Sequence, residues 1–171
     1  MDSQVPQAVL DAVARMAAAK SLDVYHVELT GRTLRVMVEA VGGTSLGTCS
    51  DLARALSDDI SFRAALPPSY GLEVSSPGVE RRLYRPAHYV RAAGRRIRLR
   101  TRAGVRDGVI AAADETGFTL DWQQAGVAHS ERFAYTEIRS AQIVVPDDAL
   151  FGRNPGPEDL HPKPEVLTHN P

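Results

Sequence analysis

Cysteine is almost absent: Cys49 is the only one in 171 residues. A single thiol excludes a disulfide framework and any multi-cysteine zinc or iron–sulfur centre. Tryptophan also occurs once, and aromatic residues make up only 6% of the chain. No apolar run approaches the ~18 residues that a membrane-spanning helix needs. The alanine-rich opening stretch is broken by Arg15, which does not fit a secretory signal, so a cytoplasmic location is expected. The five histidines, at 26, 88, 129, 161 and 169, show no metal-ligand spacing. There is no P-loop string and no G-x-G-x-x-G. These gaps lead us to expect no metal, no cofactor and no small-molecule substrate. What remains, 43% apolar and 24% charged residues, is the composition of a soluble globular protein. The length allows one compact domain or two small ones.

The formal net charge of −1 conceals an uneven distribution. Residues 1–79 carry six basic and nine acidic side chains, whereas residues 80–107 carry ten arginines against Glu80 and Asp107 alone. Residues 108–145 and 146–171 each return to two basic and five acidic residues. A cationic middle segment implies an anionic partner, and phosphate backbones are the commonest one.

Hydrophobic periodicity predicts a helix over residues 5–20, with Val9, Val13, Met16 and Ala17 on one face. Two strands follow. Tyr25, Val27 and Leu29 alternate with His26 and Glu28, then Leu34, Val36 and Val38 alternate with Arg35, Met37 and Glu39. Thr30-Gly31-Arg32-Thr33 is read as their hairpin turn. A second helix is expected from about Cys49 to Ile60, opened by a capping box of Thr48 with Asp51, and Cys49 should lie on its buried face. Tyr70, Leu72 and Val74 make a third strand. The order α-β-β-α-β lets two helices cover one face of a three-stranded sheet.

Ser75-Ser76-Pro77-Gly78 is a strong turn signal. Beyond it helical periodicity fades, and short strands are expected at 95–102, 105–113, 117–122, 130–135 and 141–145. Regularly spaced short strands suggest a small barrel. Its candidate core is Ile97, Leu99, Val109, Phe118, Leu120, Trp122, Phe133, Ile138 and Val144. Residues 147–171 contain five prolines and few large apolar groups, the composition of a disordered tail.

Within 95–102, Arg96, Arg98, Arg100 and Arg102 recur at spacing two, with Ile97 and Leu99 between them. Alternation along a strand should therefore line one surface with four guanidinium groups. Unpaired, they repel one another; phosphates would offset that repulsion. The bland reading is a solvated face paired with Glu115, Asp121 or Glu131. No aromatics accompany the stripe, so any RNA contact should be to backbone and shape. Tyr84, His88 and Tyr89, beside Arg81, Arg82 and Arg85, are read as packing at a domain junction rather than stacking on bases. Gly43-Thr44-Ser45-Leu46-Gly47 matches the G-x-S-x-G of serine hydrolases, but no run of parallel βα units accompanies it. We read it as a polar loop entering a helix, so no catalytic residue is expected.

Leu72-Glu73-Val74-Ser75-Ser76-Pro77-Gly78-Val79-Glu80-Arg81, followed by Arg85-Pro86-Ala87-His88-Tyr89 and Gly94-Arg95, resembles the ribosome maturation factor RimP family. The opening helix, Leu34-Arg35-Val36 and Ser45-Leu46 leading to Cys49 agree, and the likeness spans about residues 5–145. It implies an N-terminal α/β domain over residues 1–79 and a C-terminal SH3-like (Sm-like) β-barrel over 80–146, an α+β protein with a disordered tail at 147–171. It also implies a non-catalytic factor that binds the free small (30S) ribosomal subunit during assembly. Its partners there would be rRNA and a small-subunit protein near the decoding region. The chain departs from the family pattern twice. Gly47 and Thr48 stand where acidic residues usually precede the helix cysteine, and Arg82 stands where proline usually follows the signature arginine.

The expected ribosome contacts are then Arg96, Arg98, Arg100 and Arg102, extended across the junction by Arg81, Arg82 and Arg85. Ser75, Ser76, Pro77 and Gly78 would set the turn between domains. The alternative is a protein–protein adaptor whose barrel binds an acidic or extended peptide by strand addition.

Overall fold

The computed structural model describes residues 5–145; the expected tail at 147–171 lies outside them. The architecture is α+β, built around two separate hydrophobic cores.

The first core is covered by helix α1 (Gln7–Ala18) and helices α2 (Leu46–Asp58) and α3 (Ile60–Ala64). They pack on a sheet of β1 (Asp23–Thr30), β2 (Thr33–Glu39) and β3 (Gly71–Ser75), in the order β1-β2-β3. β1 and β2 form an antiparallel hairpin closed by the pair Thr30 and Thr33, while β3 runs parallel to β2. The parallel pairing is what requires the helical crossover between them. Val9, Val13 and Ala17 of α1 meet Leu52 and Leu56 of α2 and Leu34, Val36 and Val38 of β2. Met16 packs at the margin.

The second helix begins earlier than expected and in a different way. Ser45 is its N-cap, its Oγ accepting a hydrogen bond from the Thr48 N–H at 3.1 Å. Thr48 and Asp51 are therefore inside the helix, and Asp51 pairs with Arg54 instead. Asp59 breaks the run by capping α3 through the Phe62 N–H. Cys49 is buried, and burial raises its thiol pKa.

The second core is surrounded by helix α4 (Pro86–Arg91) and five strands: β4 (Arg96–Thr101), β5 (Gly104–Ala113), β6 (Gly117–Gln124), β7 (Val127–Ala134) and β8 (Ile138–Ile143). All neighbours are antiparallel, in the order β7-β6-β5-β4-β8. The ladder ends at β7 and β8, and no pairing joins those two among the described residues. The hydrogen bonding thus makes an open sheet rather than a closed barrel. Ile97, Leu99, Phe118, Leu120 and Phe133 are buried as expected, with Trp122 and Ile138 at the margin. Ile110 of β5 and Ile143 of β8 are buried in place of Val109 and of Val144, which lies past the end of β8; each is one position away from the expected residue. Val109 lies opposite the exposed Arg96 and shares its outward face, so Ile110 turns inward. The expected strands 95–102 and 105–113 put the β4–β5 turn at 103–104, and it falls at Arg102-Ala103 instead.

Candidate nucleic-acid interface

β4 is short because its apolar residues run out at Leu99, but the alternation it does carry is sharp. Ile97 and Leu99 are fully buried, while Arg96, Arg98 and Arg100 are exposed on the opposite face. Arg102 lies beyond the strand, in the turn that leads to β5, so the row on the strand holds three guanidinium groups rather than four.

These three are not equivalent. Arg98 faces Asp107 across the β4–β5 ladder and donates to it from Nε at 2.9 Å and from a terminal nitrogen at 2.7 Å. This fork-to-fork pairing lowers the Asp107 pKa through the Arg98 hydrogen bonds and raises that of Arg98. The carboxylate is none of Glu115, Asp121 or Glu131. Arg96 and Arg100 stand opposite Val109 and Val105. Neither forms a salt bridge among the described residues. Across β8, Arg100 faces the uncharged Ser140, and Arg98 faces Gln142. Gln142 also forms an isolated bridge with the exposed Arg82, which adds a fourth cation beside the row.

Arg81 and Arg85, the other two cations of the expected surface, are engaged between the two cores. Arg81 pairs with Glu39 at 2.6 Å, donates from Nε to the Gly78 carbonyl and lies over the Tyr25 ring. Arg91 reaches the second oxygen of Glu39 at 3.1 Å. One carboxylate at the end of β2 thus grips two cations from the following segment. Arg85 donates to the Val24 carbonyl at 2.9 Å. Gly78 has φ of +73°, the left-handed value that the third position of a Pro-Gly type II turn demands. This geometry carries Arg81 back toward its partner Glu39.

The aromatic groups at this junction depend on a bulge. Val24 pairs with Val38 and His26 with Met37, so β1 uses two steps where β2 uses one. The extra residue puts Tyr25 and His26 on the same side of the sheet. Tyr25 therefore leaves the face of Val27 and Leu29, contrary to the simple alternation. Its ring stacks on His88 at 4.0 Å, and its hydroxyl donates to the Arg82 carbonyl at 2.7 Å. His26 stacks on Tyr84 at 3.5 Å. Tyr89 instead belongs to the second core, against Phe118 and Tyr135.

His88 is buried, with Nδ1 facing the Tyr84 N–H at 3.1 Å and Nε2 facing the Arg85 Nε–H at 2.9 Å. A neutral imidazole accepts at one nitrogen only. A second ring proton would set N–H against N–H at both ends. Burial, with the charges of Arg85 and Arg91 behind it, pushes the His88 pKa down to about 4. Burial raises Tyr25 to about 12. These rings are packing groups, already stacked on one another. Sequence reasoning missed Tyr25, Glu39 and Asp107 as parts of this region. Asp107 had a legible signal, since a β4–β5 turn shifted by one residue places it directly opposite Arg98.

No helix among the described residues is long and apolar enough to cross a membrane. Residues 12–80 match the RimP N-terminal domain, a stretch that begins within α1 and takes in the whole three-stranded sheet and the Pro77-Gly78 turn. Over that stretch the chain is similar to the RimP family of ribosome maturation factors.

Proposed function

We propose that this chain binds the free small (30S) ribosomal subunit during its assembly, and does so by contact rather than by bond chemistry. Residues 1–79 and 80–146 act as two domains in this reading. The second is an SH3-like (Sm-like) fold, a proposal supported by the return of its last strand to pair with β4, its first. A cytoplasmic location follows from such a partner.

The observation that carries the reading is the exposed row on β4. Arg96 and Arg100 share a face, lack salt bridges among the described residues and flank an Arg98 already neutralised by Asp107. Among the described residues no carboxylate pairs with those two charges, and rRNA phosphates would supply a partner. Arg82 extends the surface, and Arg102 borders it from the turn. Arg81 and Arg85 contribute indirectly, by fixing the junction on which the surface is carried.

The test is binding of the full chain to purified small subunits across a salt series. Arg96→Glu with Arg100→Glu should weaken binding and reduce the salt slope by roughly 1.5 to 2, one phosphate contact per residue. Arg98→Ala should change the slope much less. Affinity and slope unaltered by the double variant would remove the row as the contact.

A further inference from the structure

A groove of about 990 Å³ lies between the two cores, on the side away from the Glu39 clamp. One wall is β1 and the other is the segment 82–86 together with the start of β8. Three features of it bear on what it could bind.

The first is backbone. β1 is an edge strand: among the described residues β2 is its one strand partner, and on its other side Arg85 donates to the Val24 carbonyl. The hairpin closes on the Thr30 and Thr33 pair, and alternate residues of an antiparallel ladder point their N–H and C=O groups away from the partner. Val27 and Leu29 are the outward-pointing residues, and both line the groove. On the opposite wall, β8 is the other kind of edge. Leu83 covers it at Ala141 by donating to that carbonyl, which leaves residues 138–140 outside this cover.

The second feature is charge. Arg82, Arg85 and Arg139 line the groove; Arg85 also donates to the Val24 carbonyl and to His88, and none of the three forms a salt bridge with a carboxylate among the described residues. The single acidic residue there among the described residues, Glu28, is already held by Arg35 at 2.9 Å. The third is an apolar floor that includes Leu83, Tyr89 and Ile138.

We propose that this groove docks an extended acidic polypeptide segment, which adds as a strand to the free edge of β1 with its carboxylates toward Arg82, Arg85 and Arg139. Edge backbone is matched by another polypeptide backbone, whose N–H and C=O groups repeat in register. Alternating side chains would then place apolar groups on the floor and carboxylates against the arginines. An RNA strand satisfies the cations but not the edge. The rings it would stack on, His26 and Tyr84, are already occupied by each other at 3.5 Å. The inference does not depend on small-subunit binding through β4.

The experiment is selection of a random twelve-residue phage-displayed peptide library on the full chain. Arg139→Glu, Arg139→Lys and the β4 variant Arg96→Glu/Arg100→Glu are selected in parallel. Acidic residues at spacing two, interleaved with apolar ones, should be enriched on the wild type. A synthetic peptide of that consensus should bind Arg139→Glu at least tenfold more weakly, and Arg139→Lys and the β4 variant within about twofold of wild type. Methylating its backbone nitrogens should abolish binding. Absence of acidic enrichment, or binding indifferent to Arg139→Glu or to backbone methylation, overturns the proposal. So does a twelve-nucleotide oligouridylate that binds in an Arg139-dependent way where no peptide is enriched. A dimer in sedimentation lost on Arg139→Glu, with no peptide enriched, would make the occupant a second copy and overturn it likewise.

Discussion

His88 shows how one side chain can tie stability to pH. Its pKa is lowered from 6.5 to about 4 in the folded chain, so the unfolded state binds the extra proton first as pH falls. The stability gained from neutral, buried His88 is complete above pH 6.5 and is lost between there and about pH 4. His26, also lowered by burial, acts in the same direction. At pH 5 the His88 contribution alone should cost about 2 kcal/mol relative to neutral pH. Urea unfolding of wild type and His88→Phe at pH 7 and pH 5 measures it; the variant keeps a ring against Tyr25 and should lose the smaller amount on acidification. An equal loss in both proteins would assign the acid sensitivity elsewhere. The sequence placed His88 at a junction but not between two donors, because those donors come from a backbone N–H and a guanidinium set by the turn at 84–86.

At the scale of single elements, the helix cap and one close approach are the points of leverage. Ser45→Ala should cost about 1 kcal/mol, because the Thr48 N–H loses its acceptor, whereas Asp51→Ala should change stability by less than about 0.5 kcal/mol. Thermal unfolding of the two variants separates Ser45 capping from the Thr48–Asp51 box that the sequence suggested. The error there is instructive: both readings begin with a hydroxyl before an apolar run, and only hydrogen-bond geometry distinguishes which residue is outside the helix. Gly117 is a different case. A Cβ at that position would sit 2.3 Å from the Phe133 carbonyl oxygen, backbone that belongs to the adjoining β7. Gly117→Ala should therefore spread β6 from β7 and destabilise the chain by roughly 1–3 kcal/mol. An unfolding midpoint within error of wild type would show that the ladder yields more easily than its geometry indicates. The strands themselves were legible as alternating runs. Their register was not: the β4–β5 turn falls one residue early, which moves each cross-strand partner by two, and a bulge follows Ile110.

For the molecule as a whole, the decisive contact is Glu39. Its carboxylate receives Arg81 and Arg91 and, with the stacked rings of Tyr25 and His88, holds the second core against the first. Glu39→Lys replaces two attractions by two repulsions and should destabilise the junction by roughly 1–3 kcal/mol. Small-angle scattering should record a larger radius of gyration, with the near-ultraviolet signal of each core retained. A radius unchanged from wild type would mean that ring stacking alone fixes the arrangement. The salt-series experiment on Arg96 and Arg100 belongs to the same scale, because an anionic partner large enough to span β4 also meets whatever orientation Glu39 maintains.

Local order in the sequence was enough to determine the strands of the first sheet and the two longer helices over it, the alternation that buries Ile97 and Leu99, and the concentration of arginine after residue 80. Each of these follows from the period of a helix or strand and from neighbours a few positions away. Tertiary structure alone decided which arginines keep an unpaired charge. Asp107 reaches Arg98 across a ladder, Glu39 reaches Arg81 and Arg91 from another sheet, and the bulge at Tyr25 moves that ring to the other face of its sheet, buried against His88. Those outcomes depend on register and on long-range approach, and a shift of one residue is invisible to composition yet reverses the face on which a side chain lies.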